Sequence, residues 1–340
     1  MEIRSRERVL WPGSRGANTG VDNVGLSLQP RGHDGGLRVR DMSEGIGNRR
    51  PALHGRWRWP RVLAALCVAG VVALGTVLGW LKWHENELVF ETAVSRTQVS
   101  DHIPDGAERM TIRSGSGAAL AAVILRADPS RDSGFWVLHL HGNADSAFSS
   151  QQLKHVQRLA SFGLNVLSFD YRGFGLSPGV ASEAHMNEDA EAAYAELRRR
   201  GVGAERIIVW GHSLGSGPAV DLAAKHAAAA LVLFGAFTSI PDAAADTYPY
   251  LPVRRLAGVH FESLSLISRL HLPVLIAHSV GDTVIPYHHA QRLYAAAREP
   301  KRFLALGAPY TDGFGGHVDG LYDHLDLLIP PLAALVGQRL

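Results

Sequence analysis

The chain has 340 residues, a formal net charge of +2 and one cysteine, Cys67. That length holds one large α/β domain with additions, and a lone cysteine excludes an intrachain disulfide. No His-Glu-x-x-His or paired Cys/His spacing occurs, no phosphate-cradling G-x-x-x-x-G-K-[ST] loop, and no G-x-G-x-x-G after a strand. Metal and nucleotide chemistry therefore have no support, and no cofactor is expected.

Residues 1–60 scatter arginines among Gly, Pro and Asn without helical or strand periodicity. Such a tail cannot bury enough apolar surface to offset its ordering entropy and is expected to be disordered. Its scattered basic residues form no recognisable nucleic-acid module, so no nucleic-acid partner is expected. Met42 is a second candidate start, which would make the first 41 residues an artefact of gene calling. Val62 to Leu81 then contains 20 residues without a charge, bounded by Arg61 and Lys82. At about 1.5 Å per residue it spans about 30 Å, the thickness of a bilayer's hydrocarbon core. Trp57, Trp59, Trp80 and Trp83 bracket it as an interfacial belt.

A transmembrane anchor over 61–83 is the expectation. A cleaved signal peptide beginning at Met42 is the rival, but the bulky Trp80-Leu-Lys-Trp-His84 offers no small-x-small cleavage site. Arg49, Arg50, Arg56, Arg58 and Arg61 precede the span, and Glu85, Glu87 and Glu91 follow Lys82. The positive-inside rule puts the N-terminus in the cytoplasm and the rest of the chain beyond the membrane. Residues 84–107 read as a linker and 108–340 as a catalytic domain.

That domain opens with a predicted hairpin, Arg109 to Arg113 and Ala118 to Arg126, turned at Gly115 and Gly117. Gly134 to Leu140 is a predicted buried strand ending in His141-Gly-Asn-Ala144, a loop that can present the Asn143 N–H to a developing oxyanion. Gln151 to Phe162 reads as a helix, Asn165 to Phe169 as a strand, and Glu183 to Arg200 as a helix closed by Gly201. In the turn Asp170-Tyr-Arg-Gly173, Asp170 and Arg172 read as structural pins. Strand Arg206 to Trp210 leads into Gly211-His-Ser-Leu-Gly215 and an Ala-rich helix over Pro218 to Ala230. Strand, sharp turn and helix with Ser213 at the apex form a nucleophile elbow, and the Leu214 N–H becomes a second oxyanion donor.

Residues 238–271 show no clear strand and carry aromatic and apolar side chains, a predicted lid or pocket wall suited to an acyl chain. Strand Leu272 to Ala277 ends in His278-Ser-Val-Gly-Asp282, where Asp282 can accept a hydrogen bond from a histidine. After strand Arg302 to Leu306, a Gly-rich loop presents His317 as general base. Asp319 is the alternative acid, disfavoured by lying two residues from His317. His212, His278, His288 and His289 read as packing or turn residues. Apolar strands alternating with helices predict an α/β fold, a mainly parallel sheet with helices on both faces.

These motifs carry a resemblance. His141-Gly-Asn-Ala144, Asp170-Tyr-Arg-Gly-Phe-Gly175 with Ser177, Gly211-His-Ser-Leu-Gly215, Gly281-Asp282 with Ile285-Pro286, and Gly316-His317 resemble the α/β-hydrolase superfamily over roughly Glu108 to Leu335. The order Ser213, Asp282, His317 is that of the superfamily. The closest likeness is to its membrane-anchored monoacylglycerol lipases and lysophospholipases, with depalmitoylating thioesterases nearby. One departure stands out, since Asp145 sits where relatives often carry glycine. The resemblance implies a membrane-anchored serine hydrolase with Ser213, His317 and Asp282 as triad, acting on a carboxylic ester of a single-chain lipid. An acyl-protein thioesterase or a proline-type peptidase would use the same triad. A non-catalytic binding protein on this fold is disfavoured by the intact set.

Overall fold

The computed structural model describes residues 59–307, 313, 315–318 and 324–338. The expected basic tail, Met42, the flanking arginines up to Arg58, and Asp319 lie outside the described residues. Pro60–Leu340 form one unit. It begins with α1 (Trp59–Trp83), followed by the short helices α2 (Glu85–Val89) and α3 (Thr92–Thr97). Among the described residues α1 is the one helix long and apolar enough to cross a membrane. None of its residues is buried, and Val62, Leu66, Val68, Val71, Val72 and Leu74 all face outward.

The predicted hairpin is present as β1 (Glu108–Arg113) paired antiparallel with β2 (Ala119–Leu125). There follow β3 (Trp136–Leu140), α4 (Ser150–Ser161), β4 (Asn165–Phe169), α5 (Glu183–Arg199), β5 (Ile207–His212), α6 (Ser216–Lys225) and β6 (Ala230–Phe234). Three short helices, α7 (Ile240–Thr247), α8 (Val253–Leu256) and α9 (Ser263–Ile267), lie in the interval before β7 (Val274–Ser279). The rest comprises α10 (His288–Ala296), β8 (Lys301–Leu306) and α11 (Leu325–Val336). Ser149, Ser182 and Ser239 cap α4, α5 and α7, each accepting the N–H of the residue three positions on.

The eight strands lie in the order β1-β2-β4-β3-β5-β6-β7-β8, antiparallel at the β1–β2 and β2–β4 steps and parallel thereafter. Every residue of β3, β4, β5, β6 and β7 is buried, as strands covered on both faces require. The alternation along each strand divides two cores. Leu138, Leu167, Val209, Leu231 and Ile276 pack with α5, α6, α9 and α10. Val137, Val166, Trp210, Val232 and Leu275 pack with α4 and α11. Each such aliphatic side chain contributes about 1.5–3 kcal/mol on burial. These two cores fix the carboxyl ends of β3, β5, β6 and β7, where the functional loops begin.

The stretch 84–107, expected as a linker, folds back against the domain. Phe90 is 2% exposed and packs in the core beside Phe174, and the Ser100 N–H donates to the Phe148 carbonyl.

Candidate active site

β5 runs into a single 3-10 turn, Ser213–Gly215, which passes directly into α6. Ser213 sits at φ +49°, a left-handed conformation that a serine adopts only where its surroundings impose it. The flanking glycines permit the turn. A methyl at Gly215 would run into the carbonyl oxygens of Leu140 and His141, and one at Gly211 would meet Ala219 and the Gly215 carbonyl. The strained turn lifts the Ser213 hydroxyl off the sheet edge toward the loops after β7 and β8.

His317 meets it there. Its Nε2 lies 2.8 Å from Ser213 Oγ and its Nδ1 lies 2.7 Å from Asp282 Oδ2. Three residues from distant parts of the chain thus converge in one hydrogen-bonded line. Ser279 Oγ–H donates to the Gly316 carbonyl (2.6 Å), holding the backbone just before His317. The other side of the His317 ring rests on Gly235 at the end of β6, where any Cβ would stand 3.2 Å from the ring carbon Cε1. Asp282 Oδ1 accepts the N–H groups of Val284 and Ile285, both at 2.9 Å, so the carboxylate is oriented by its own turn. Burial alone would raise its pKa. Hydrogen bonds from His278 and His317, and their positive charge when protonated, outweigh burial and hold the carboxyl well below the usual range. A carboxylate that stays ionised beside Nδ1 keeps the proton there, leaving Nε2 free to accept from Ser213.

Two histidines read as bland packing residues are part of this arrangement. His278 Nε2–H points between the Ile285 carbonyl (2.8 Å) and Asp282 Oδ2 (3.2 Å), so it donates into the same carboxylate that holds His317. Its one sequence signal was its place four residues before Asp282 at the end of an apolar strand. His212 Nε2–H donates to the His317 carbonyl at 3.1 Å, tying the elbow to the loop that carries His317. Burial, reinforced by the charge of a protonated His317, pushes the His212 pKa down to about 3, so the imidazole is neutral in this role.

The loop His141–Ala144 closes the other side of Ser213: a methyl at Gly142 would stand 3.3 Å from Ser213 Cβ. Asn143, expected as an oxyanion donor through its backbone, uses its side chain elsewhere. Its Oδ1 accepts the Glu91 N–H (2.9 Å) and its Nδ2–H donates to the Val89 carbonyl (2.8 Å). Leu214, expected as the paired donor, lies in the elbow turn next to Ser213.

A family profile described as "Serine aminopeptidase, S33" matches residues 135–266. The human alpha/beta hydrolase domain-containing protein 17B is 31% identical over 222 residues, covering 63% of this chain and 73% of its own. A lysophosphatidylserine lipase, ABHD12 of Danio rerio, is 33% identical over 183 residues, 48% of either chain. A solved esterase of Pyrococcus furiosus superposes with a TM-score of 0.55 at 17% identity, over 69% of this chain and 94% of its own. The chain belongs to the α/β-hydrolase superfamily. It is a serine hydrolase of the esterase- and lipase-like kind.

Departures from the α/β-hydrolase pattern have physical explanations. Asp145 turns its carboxylate away from Ser213: Oδ1 accepts the Ser146 N–H (2.8 Å) and Oδ2 the Gln152 side-chain N–H (2.6 Å). Asp170 accepts the N–H groups of Ala147 (2.7 Å) and Leu176 (2.8 Å), and Arg172 pairs with Asp189 and Glu188. Both pin turns that support the site. Asp246 of α7 meets His288 and His289 of α10, whose Nε2 atoms lie 3.0 and 2.8 Å from one carboxylate oxygen. The Thr238 N–H donates to His289 Nδ1 (3.2 Å), so His289 Nε2 carries the hydrogen and donates it to Asp246. This grouping is a staple between two helices, with one imidazole nitrogen already committed as donor.

Proposed function

We propose that this α/β-hydrolase is anchored by α1 in a membrane and cleaves the carboxylic ester of a single-chain lipid, of the monoacylglycerol or lysophospholipid class. The line Ser213–His317–Asp282 is the observation that carries the chemistry. Ser213 Oγ attacks the ester carbonyl while His317 Nε2 takes its proton, and Asp282 stabilises the imidazolium that forms. The N–H groups of Leu214 and Asn143 hold the tetrahedral oxyanion. His317 then protonates the departing alcohol, and water attacks the acyl-enzyme by the same route in reverse.

The substrate class follows from where the site stands. Helix α1 exposes an apolar surface along its whole length, which water disfavours and lipid accommodates. Residues 238–271 fold as α7, α8 and α9, and Phe261 lies against Gly217 in the first turn of α6. We assign this interval as the wall of an acyl pocket, next to exposed Tyr248, Tyr250 and Leu251. The likeness to a lysophosphatidylserine lipase supports the same class. The likeness to the serine aminopeptidase family favours a peptidase as the second reading.

The membrane-embedded protein should turn over monoacylglycerol or lysophosphatidylserine with at least tenfold higher kcat/KM than an S-palmitoyl peptide or an aminoacyl anilide. A higher value for the anilide would move the assignment to the peptidase reading, and one for the thioester to a depalmitoylating role. The arginines before α1 support an orientation with the N-terminus in the cytoplasm and the catalytic domain on the far side. A phosphatase reporter fused after Leu340 should therefore be active in a bacterial host, and a reporter that works only in cytoplasm silent. The opposite pair of results would reverse the orientation.

A further inference from the structure

Between α1 and β1 the chain makes a set of contacts out of proportion to its composition. Of residues 84–97 only Phe90 and Ser95 are buried, and they face the loops after β3 and β4. Phe90 packs edge-on against Phe174 in the turn after β4. The Ser95 hydroxyl donates to the Asp145 carbonyl and accepts the Gly175 N–H (2.8 Å). Arg96 Nε–H donates to the Gly173 carbonyl at 3.2 Å. The turn from Val89, the last residue of α2, to Glu91, which precedes α3, lies along Asn143, whose side-chain amide reads it in both directions, accepting from Glu91 and donating to Val89. Nearer the membrane helix, Glu85 accepts the N–H groups of Gly258 and Val259 in the 238–271 interval.

The loop His141–Asp145 is therefore held at two points, Asn143 and Asp145, by a segment 50 or more residues away in sequence. Its own backbone is not at rest without help, since Ala144 stands at φ +56°. A loop whose N–H must sit within a few tenths of an ångström of a developing oxyanion needs outside support. A side-chain amide with two backbone partners supplies both position and direction.

We infer that residues 84–97 are a positioning strap for the oxyanion loop, so that the chain leaving the membrane helix sets the geometry of the catalytic centre. Asn143 acts in two ways, its backbone N–H toward substrate and its side chain toward the strap. The inference rests on the proposed role of the His141–Ala144 loop. Its signature is a loss in kcat with little change in KM, because an oxyanion donor acts on the transition state and not on the bound ester.

The test uses the full chain in detergent micelles with 4-nitrophenyl butyrate as probe. Asn143→Ala removes both side-chain bonds and keeps the backbone N–H. Glu91→Pro removes the single N–H on the other side, at a residue whose φ of −79° and whose extended predecessor suit proline. It is measured against Glu91→Ala, which keeps the amide. Asn143→Ala and Glu91→Pro should each lower kcat by about ten- to a hundredfold, the scale of a displaced oxyanion donor, with KM within about twofold, and Glu91→Ala should keep wild-type kcat. The double variant should lose little more than the Asn143→Ala single, because both cut the same connection. Fluorophosphonate labelling of Ser213 separates the two readings. If wild-type Ser213 labels but both variants keep wild-type kcat, the strap role is wrong and the function stands. If Ser213→Ala labels as wild type does, the catalytic reading itself fails. Should Asn143→Ala not fold, Glu91→Pro against Glu91→Ala decides alone, and fully additive losses in the double variant would overturn the shared connection.

Discussion

Ser213→Ala is expected to abolish labelling by a fluorophosphonate and to lower kcat by roughly a millionfold, the scale of removing the nucleophile from an assembled triad. The elbow should survive the change. Alanine fits the same left-handed turn about as well as serine, the space around position 213 is set by Gly142, Gly211 and Gly215, and the lost Oγ makes its hydrogen bond to His317. Thermal unfolding within a few degrees of wild type, beside absent labelling, is the expected pair of results. A variant that folds and still labels at the wild-type rate would place the nucleophile elsewhere.

Asp282→Asn should fold and lose about 10⁴ in kcat, the order seen when a triad acid becomes an amide. The asparagine oxygen can still accept the N–H groups of Val284 and Ile285. Its NH₂ must then face His317 Nδ1 and His278 Nε2–H, where the wild-type carboxylate accepts both. His317 answers by carrying its proton on Nε2, pointed at Ser213, which removes the general base. The pH profile adds a check. The wild-type carboxyl is held well below the ordinary carboxylate range, so protonation of Asp282 should not limit activity anywhere between neutral and mildly acidic pH. Turnover within tenfold of wild type in Asp282→Asn would move the acid away from this position.

What the sequence disclosed depended on how local its cause was. The elbow was legible because its two glycines, its strand and its helix are all within about 20 residues, and the sheet because fully buried strands are continuous apolar runs. Strand β6 was harder to see: the alanine run 227–230 favours helix, and pairing of Ala230–Phe234 between β5 and β7 overrides that preference. The helices α7, α8 and α9 are too short to show a period. His212 carried no visible sign and His278 only its place four residues before Asp282, since a buried histidine acquires its role from a partner chosen by the fold. The strap was read as a linker for a similar reason. Two buried residues in fourteen leave a polar pattern, and its main partner, Asn143, is 52 residues from Glu91.

The distance along the chain between nucleophile and base has a consequence during synthesis. His317 follows Ser213 by 104 residues: Ser213 comes directly after the interior strand β5, and His317 lies beyond the edge strand β8. At about 5–20 residues per second the ribosome finishes the elbow roughly 5–20 s before it makes the group that activates it. Throughout that interval the nascent chain carries a serine without its histidine partner. Hydrolysis begins only when the last parallel strand and the loop beyond it have joined the sheet, so the finished fold is itself the enzyme's safety catch.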